Sequence, residues 1–282
     1  MTHVPRRQVA CAISGSSTMF STNNIVQGDC TRILRRLPNA CVDLVVTDPP
    51  YGVNYRDRLN RTIANDDRPE RILGVFDDVY RVLKPNTLCV CFYGWNRVDA
   101  FFRAWRQAGF VPVGHIVWQK NYASSRSFLQ ARHEQAYLLA KGRPAKPAIP
   151  LNDVQPWEYS GNRIHPTEKS VSILRPLIES FSRPGEFVLD PFAGSGSTCV
   201  AAALCGRRFM GVELDVQYHK LAVARLAELA QRRTQAPQNL LSTVHGFASW
   251  AQRRGVTLPS HVIASALRRS LRDEPTVNTP RP

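Results

Sequence analysis

No apolar run in this 282-residue chain approaches the roughly 18 residues a membrane helix needs, which excludes a bundle of membrane-spanning helices. The N-terminus lacks a long apolar stretch with a cleavage signal. Residues 1–23, with Arg6, Arg7 and a Ser/Thr-rich run from Ser14 to Thr22, read as a flexible leader rather than a secretory peptide. None of the seven cysteines is spaced C-x-x-C, and their number is odd. A disulfide framework and a structural zinc site are therefore not expected, no metal is assigned, and a reducing cytoplasm fits. There is no internal repeat. Acids are scarce: 22 Asp and Glu stand against 37 Lys and Arg, a formal net charge of +15. Such an excess points to a polyanionic partner, most simply nucleic acid.

What is present is an alternation of strands and helices. Strands are expected at 24–28, 42–47, 87–93, 110–118, 135–140, 186–189 and 208–212. Helices are expected at 30–37, 69–84, 97–108, 166–182, 198–205 and 216–231, the second ended by Pro85 and the third by Gly109. Cys89 and Cys91 alternate along a strand, as small buried hydrophobes would. Residues 52–67 read as a long polar loop, and 141–164 break the pattern. This order implies an α/β fold with a doubly wound, mainly parallel sheet. The divisions are the leader, a domain at 24–235 and a basic helical appendage with its tail at 236–282. Within the domain, 24–140 form one half, 141–164 a connecting segment and 165–235 the other half.

Two turns carry the chemistry. In "EFVLDPFAGSGST" the strand ends at Asp190. Phe192, Ala193, Gly194, Ser195 and Gly196 then lead into a helix. Glycines there let backbone approach a ligand closely, and an acid at the end of the next strand, Glu213 in "GVELD", is placed for ribose hydroxyls. A nicotinamide cofactor would bring a pyrophosphate and prefers a third glycine, where this chain has Cys199. Asp190 would repel phosphate but suits a cation. S-adenosylmethionine has no phosphate and carries an ammonium and a sulfonium, so electrostatics favour it.

The second turn is "VDLVVTDPPYG". A buried strand ends by presenting Asp48, Pro49, Pro50 and Tyr51. Ligands of parallel sheets bind beyond the C-terminal strand ends, so Asp48 and Asp190 face one cleft. An exocyclic amine on a nucleobase is a poor nucleophile, because its lone pair is delocalised into the ring. A carboxylate and a rigid carbonyl that accept its N–H groups polarise it toward tetrahedral geometry, which is electrostatic preorganisation. Pro49 and Pro50 hold the carbonyl, and Tyr51 is suited to stack on a base taken out of the helix.

With these motifs the chain resembles the bacterial amino-group DNA methyltransferases, in the circularly permuted class whose catalytic motif precedes the cofactor motif. The resemblance covers about 24–229. "TDPPY" matches the catalytic motif, "DPFAGSGST" the cofactor loop and "GVELD" the ribose acid. "HPTEKS" resembles the motif before the cofactor strand, and "VQGDC" the motif whose acid, Asp29, approaches the cofactor's adenine. It implies a Rossmann-like fold and a methyl transfer from S-adenosylmethionine to adenine N6 of double-stranded DNA in the cytoplasm, at the nucleoid. Asp48 favours adenine over cytosine N4, since members with Ser there usually modify cytosine. The remaining alternatives are cytosine N4, an RNA substrate, or a catalytically inactive DNA-binding regulator. A homodimer and a cognate restriction enzyme are left open. Target recognition falls to the short segment 141–163, shared with 52–67 and 120–132, where Lys120, Arg126, Arg132, Lys141, Arg143 and Lys146 are expected at phosphates.

The segment from Gln231 onward has eight arginines, no lysine and two acids. It fits a helix-turn-helix poorly, so phosphate contact without base reading is its expected part. Deleting the residues after Arg233 should weaken all duplexes alike. The log–log slope of affinity against salt should flatten by about 0.9 per lost phosphate contact. Sequencing DNA methylated by the truncated protein should return an unchanged motif, and a relaxed one would assign base reading to the tail.

Overall fold

The structure, a computed structural model, describes residues 22–51, 72–126, 128–158 and 168–233. β1 (Asn24–Gln27) leads into α1 (Cys30–Leu34), capped by Asp29, whose carboxylate accepts from Thr31 N and Oγ1. β2 (Val42–Thr47) is buried at every position, as its unbroken apolar run requires of a central parallel strand. α2 (Val75–Val82) passes directly into β3 (Leu83–Phe92), and α3 (Val98–Ala108) ends at Gly109 with φ of 101°. β4 (Val111–Gln119), the short pair β5 (Ser125–Arg126) and β6 (Gln130–Ala131), β7 (His133–Lys141) and β8 (Val154–Pro156) follow. α4 (Val171–Phe181), β9 (Phe187–Asp190), α5 (Ser197–Leu204) and β10 (Arg208–Glu213) complete the core.

Eight strands form one sheet in the order β1-β10-β9-β2-β3-β7-β4-β8. The first five run parallel, and β7 is antiparallel to both β3 and β4. The reversal is local: β4 and β7 are consecutive long strands with no helix between them, so they pair as a hairpin. β10 and β9 are reached late in the chain, β2 and β3 early. The connections therefore diverge between β9 and β2, which opens a crevice at their C-terminal ends.

The sheet interior alternates. Val45, Cys89, Cys91, Leu189, Met210 and Val212 face a core shared with α1, α2 and α3, including Phe76, Phe101 and Trp105. α4 lies against β2, and α5 against β9 and β10. This mixed α/β arrangement around a large sheet is the expected fold class.

Three local expectations are revised. Helix does not reach Lys84, because Leu83 is extended and already pairs with Val42. Pro85 then falls where the ladder skips from Val42↔Leu83 to Leu44↔Leu88, an irregularity that tolerates a residue without an N–H. The second revision is the start of α4, at Val171 rather than 166, where Ser170 accepts from Ser172 N as N-cap. Third, the patternless segment 141–164 contains β8, which extends the sheet beside β4. A first compact unit runs to Ala222 and a second begins at Val223; of the second, only the helical stretch 223–233 is described. The leader, the loop 52–67 and the appendage beyond 235 lie outside the described residues.

Gly211 escaped notice in the sequence. A Cβ there would lie 2.8 Å from both Ala193 Cβ and Cys199 Sγ, so β10 and the glycine turn touch only because this residue has no side chain. G211A should cost about 1–3 kcal/mol by overpacking, read as a lower denaturant midpoint.

Candidate functional site

The two predicted turns meet. β2 and β9 are hydrogen-bonded neighbours, with Leu44 opposite Val188 and Val45 opposite Leu189. Asp48 and Asp190 therefore leave adjacent strand ends on the same edge of the sheet. Thr47 Oγ1 closes the pair by donating to Asp190 Oδ1 at 3.0 Å.

The glycine turn is held against the end of β10, as is the chain after β1. Ala193 N donates to Val212 O at 2.8 Å, and Gly194 N to Glu213 Oε2 at 2.7 Å. Gly28 N donates to Glu213 O at 2.8 Å, which brings Asp29 beside the same strand end. Gly194 and Gly196 have φ of 51° and 79°, the left-handed region that glycine adopts without strain. Glu213 Oε1 also accepts from Asp215 N at 2.7 Å. Both carboxylate oxygens are thus oriented by backbone, each with acceptor capacity to spare. Burial raises the Glu213 carboxyl above its ordinary range, which the hydrogen bonds only partly offset.

Asp190, expected in the cofactor site, is bonded into the turn itself. It is 3% exposed, and besides Thr47 it accepts from Phe192 N at 3.0 Å and from Thr198. Burial raises its carboxyl to about 6, against those hydrogen bonds. Its visible work is to brace the turn from below. Phe192 packs against the core, and Ala193 and Ser195 are buried.

At the other turn, Asp48 is gripped at both oxygens. Tyr51 OH donates to Oδ1 at 2.6 Å and Lys169 Nζ to Oδ2 at 2.5 Å. Burial, reinforced by the Asp48 carboxylate, raises the Tyr51 phenol well above its ordinary value, so it stays a donor. The Tyr51 ring stands edge-on to Phe101 and backs onto Gly94, where an added Cβ would come within 3.0 Å of Tyr51 Cβ. Pro49 is buried and Pro50 partly so.

The basic residues divide. Lys120 is 4% exposed and ion-paired with Glu134, its ammonium 5.3 Å from the Trp157 ring centroid. That environment corrects its assignment to phosphate. Lys141 Nζ donates to Tyr80 O at 2.6 Å and Leu83 O at 2.7 Å, so it fastens α2 to β7 rather than facing outward. Burial lowers its ammonium below the ordinary value. Arg132, Arg143 and Lys146 are exposed. Arg126 is placed only by its backbone, which pairs with Gln130. His165 and Arg163 lie outside the described residues. Sequence reading missed Glu134 and the Asp48 partner of Lys169, a residue met there only as part of the "HPTEKS" motif.

The glycine turn and the proline turn thus meet at neighbouring parallel strand ends. The model of the N6/N4 DNA methylase family fits residues 42–224. The chain belongs to that family. It is 54% identical over 217 residues to YubD of Escherichia coli (strain K12), a methylase by name, covering 77% of this chain and 96% of YubD. Among solved structures, M1.HpyAVI in complex with SAM superposes with a TM-score of 0.58 at 25% identity, over 72% of this chain and 98% of that one. The cytosine-N4-specific PvuII DNA methyltransferase has the same fold, with a TM-score of 0.58 at 16% identity over 75% and 92% of the two chains. As a member of this DNA methylase family, the chain is an enzyme that methylates DNA.

Proposed function

We propose that this protein transfers a methyl group from S-adenosylmethionine to adenine N6 of a base drawn out of double-stranded DNA at a short specific site. The observation that carries the reading is the Thr47–Asp190 hydrogen bond, which locks the target-base turn beside the glycine turn.

The glycine turn suits this cofactor in charge and shape. From Asp190 to Gly196 and from Glu213 to Asp215 there are three acids and no lysine or arginine. That set disfavours a pyrophosphate and favours a cationic nucleoside. Glu213 would accept from ribose hydroxyls and Asp29 would approach the adenine. Phe192, Ala193, Gly194, Ser195 and Gly196 would line the cradle braced by Asp190. When bound, the cofactor supplies an electrophilic methyl on a sulfonium.

The chain's own part is to prepare the nucleophile. Asp48 accepts one N–H of the target amine and the carbonyl on the rigid Pro49–Pro50 turn accepts the other, while Tyr51 packs on the base. Acceptors fixed where positive charge develops stabilise the transition state without reorganising. An aspartate at the head of the catalytic motif, Asp48, supports the adenine assignment. Arg132, Arg143, Lys146 and Arg126 are the residues we assign to phosphates.

The test is to incubate the protein with S-adenosylmethionine and unmethylated plasmid DNA, hydrolyse the DNA and weigh the nucleosides. N6-methyldeoxyadenosine is expected. N4-methyldeoxycytidine would overturn the base assignment while leaving the reaction class, and no methylated nucleoside would overturn both. Methylation-sensitive sequencing of the same DNA reads out the site.

A further inference from the structure

The ends of β2, β3 and β4 and the start of β7 share one edge of the sheet, the edge that carries Asp48. Among the described residues, only two aromatic side chains are largely exposed, and both stand at this edge. Trp95 is 72% exposed in a single 3-10 turn just past β3, next to the Gly94 that backs onto Tyr51. Phe128 is fully exposed, and its neighbour Leu129 is 83% exposed. They lie between β5 and β6, the hairpin that joins β4 to β7. Apolar side chains bared to water beside a binding site mark contact with a partner.

The base of this hairpin is fastened while its tip is bare. Lys120 N donates to Arg132 O at 2.8 Å, which carries the β4–β7 ladder one pair further. Ser124 N then donates to Ala131 O at 2.8 Å, and the backbones of Ser125 and Arg126 pair with Ala131 and Gln130. The buried Lys120 ammonium donates to Ser124 Oγ at 3.3 Å and is ion-paired with Glu134. Lys120 therefore pins the hairpin's base from within. A segment fixed in advance loses less freedom on binding. From 120 to 133 there are three Lys or Arg and no Asp or Glu, and Arg132 is exposed beside the hairpin. An apolar tip on a basic, acid-free stem suits a partner with phosphates outside and flat apolar faces inside, which describes duplex DNA.

A base drawn out of a duplex leaves two neighbouring bases with bare faces and its former partner unopposed. Whatever fills that gap must stand beside the base pocket rather than in it. β7 is two strands from β2, which sets the hairpin about 10 Å along the edge from the target-base turn at the usual strand spacing. We propose that the β5–β6 hairpin is a wedge, and that Phe128 and Leu129 enter the base stack and fill the place the target base leaves. The inference rests on the proposed transfer to a base drawn out of DNA. No covalent bond changes; apolar stacking holds the gap open.

The test uses full-length protein and a synthetic duplex carrying the site that methylation-sensitive sequencing identifies. A second duplex has an abasic position opposite the target base, which lowers the cost of drawing it out. Wild type, F128A/L129A, F128W and W95A are compared by single-turnover transfer of tritiated methyl, with S-adenosylmethionine affinity by calorimetry as the check on folding. F128A/L129A should slow transfer to the paired duplex by roughly 10- to 100-fold, the range of base–aromatic stacking energies. On the abasic duplex its loss should shrink to about threefold or less, because the target is already unpaired. F128W should stay near wild type, since the larger ring still stacks. An equal loss on both duplexes would overturn the wedge, as would no loss on either. A loss that the abasic duplex relieves in W95A and not in F128A/L129A would give the role to Trp95 and overturn the hairpin's. A dimer in sedimentation that F128A/L129A dissociates would make the tip a contact between two copies and overturn it too. In each of these cases wild-type transfer keeps the proposed function standing. Wild-type protein that moves no methyl to plasmid instead overturns the proposed function, and this inference with it.

Discussion

Replacing Asp48 with alanine should slow methyl transfer by at least about 10²-fold while leaving S-adenosylmethionine affinity nearly intact. The separation of the two effects follows from the architecture. Asp48 lies past the end of β2, whereas the cradle proposed for the cofactor belongs to β9, β10 and the turn between β9 and α5. What the substitution removes is one fixed acceptor for the amine, and loss of a single preorganised group of this kind costs on the order of 10²–10³ in rate. It also strips Tyr51 OH and Lys169 Nζ of a partner. D48A should therefore melt lower as well, which calorimetric cofactor titration controls for. D48N is the informative companion. Its amide oxygen accepts one hydrogen bond, but its NH₂ must face either the Tyr51 hydroxyl or the Lys169 ammonium, and only the hydroxyl can turn to accept it. A trace of activity is expected. Wild-type turnover in D48A would remove the catalytic assignment from this turn.

Both turns were legible in the sequence for a physical reason. A parallel strand that ends in Pro-Pro, or in a run with two glycines, advertises a backbone shape that few other contexts need. The parallel order of their strands then follows from the intervening helices. The ladder between β2 and β9 joins residues 144 positions apart, and only the shared strand-end rule anticipated it. Side-chain partners were not legible in this way. Lys120 and Lys141 sit among arginines in a basic stretch and read as surface charge. In the fold, one turns inward to Glu134 and the other to two backbone carbonyls. Charge composition says nothing about which way a lysine points. Lys169 and Asp48 are 121 residues apart, and no local pattern marks them as a pair. Gly211 lay hidden because its reason is the proximity of Ala193 and Cys199, a tertiary fact. β8 was missed because three residues are too few to show a period.

E213A should weaken S-adenosylmethionine binding by roughly 10- to 150-fold, the equivalent of about 1.5–3 kcal/mol for a lost charge-assisted hydrogen bond. The geometry sharpens this expectation, because Glu213 has two tasks. Its oxygens accept Gly194 N and Asp215 N at 2.7 Å each, so alanine also frees the glycine turn. The ligand-free variant should therefore melt at a lower temperature than wild type. Glutamine does not escape the problem. One oxygen and one NH₂ replace two acceptors, so either the Gly194 or the Asp215 N–H is left facing a donor. E213Q should fall between wild type and E213A in melting temperature, and near E213A in affinity if the ribose needs the charge. Two measurements separate the roles. Calorimetry reads the ribose contact, and thermal unfolding without ligand reads the strut. A lower melting temperature with unchanged affinity would make Glu213 a strut alone and move the ribose acceptor elsewhere, with Asp29, held beside it by the Gly28–Glu213 backbone bond, the next residue to substitute.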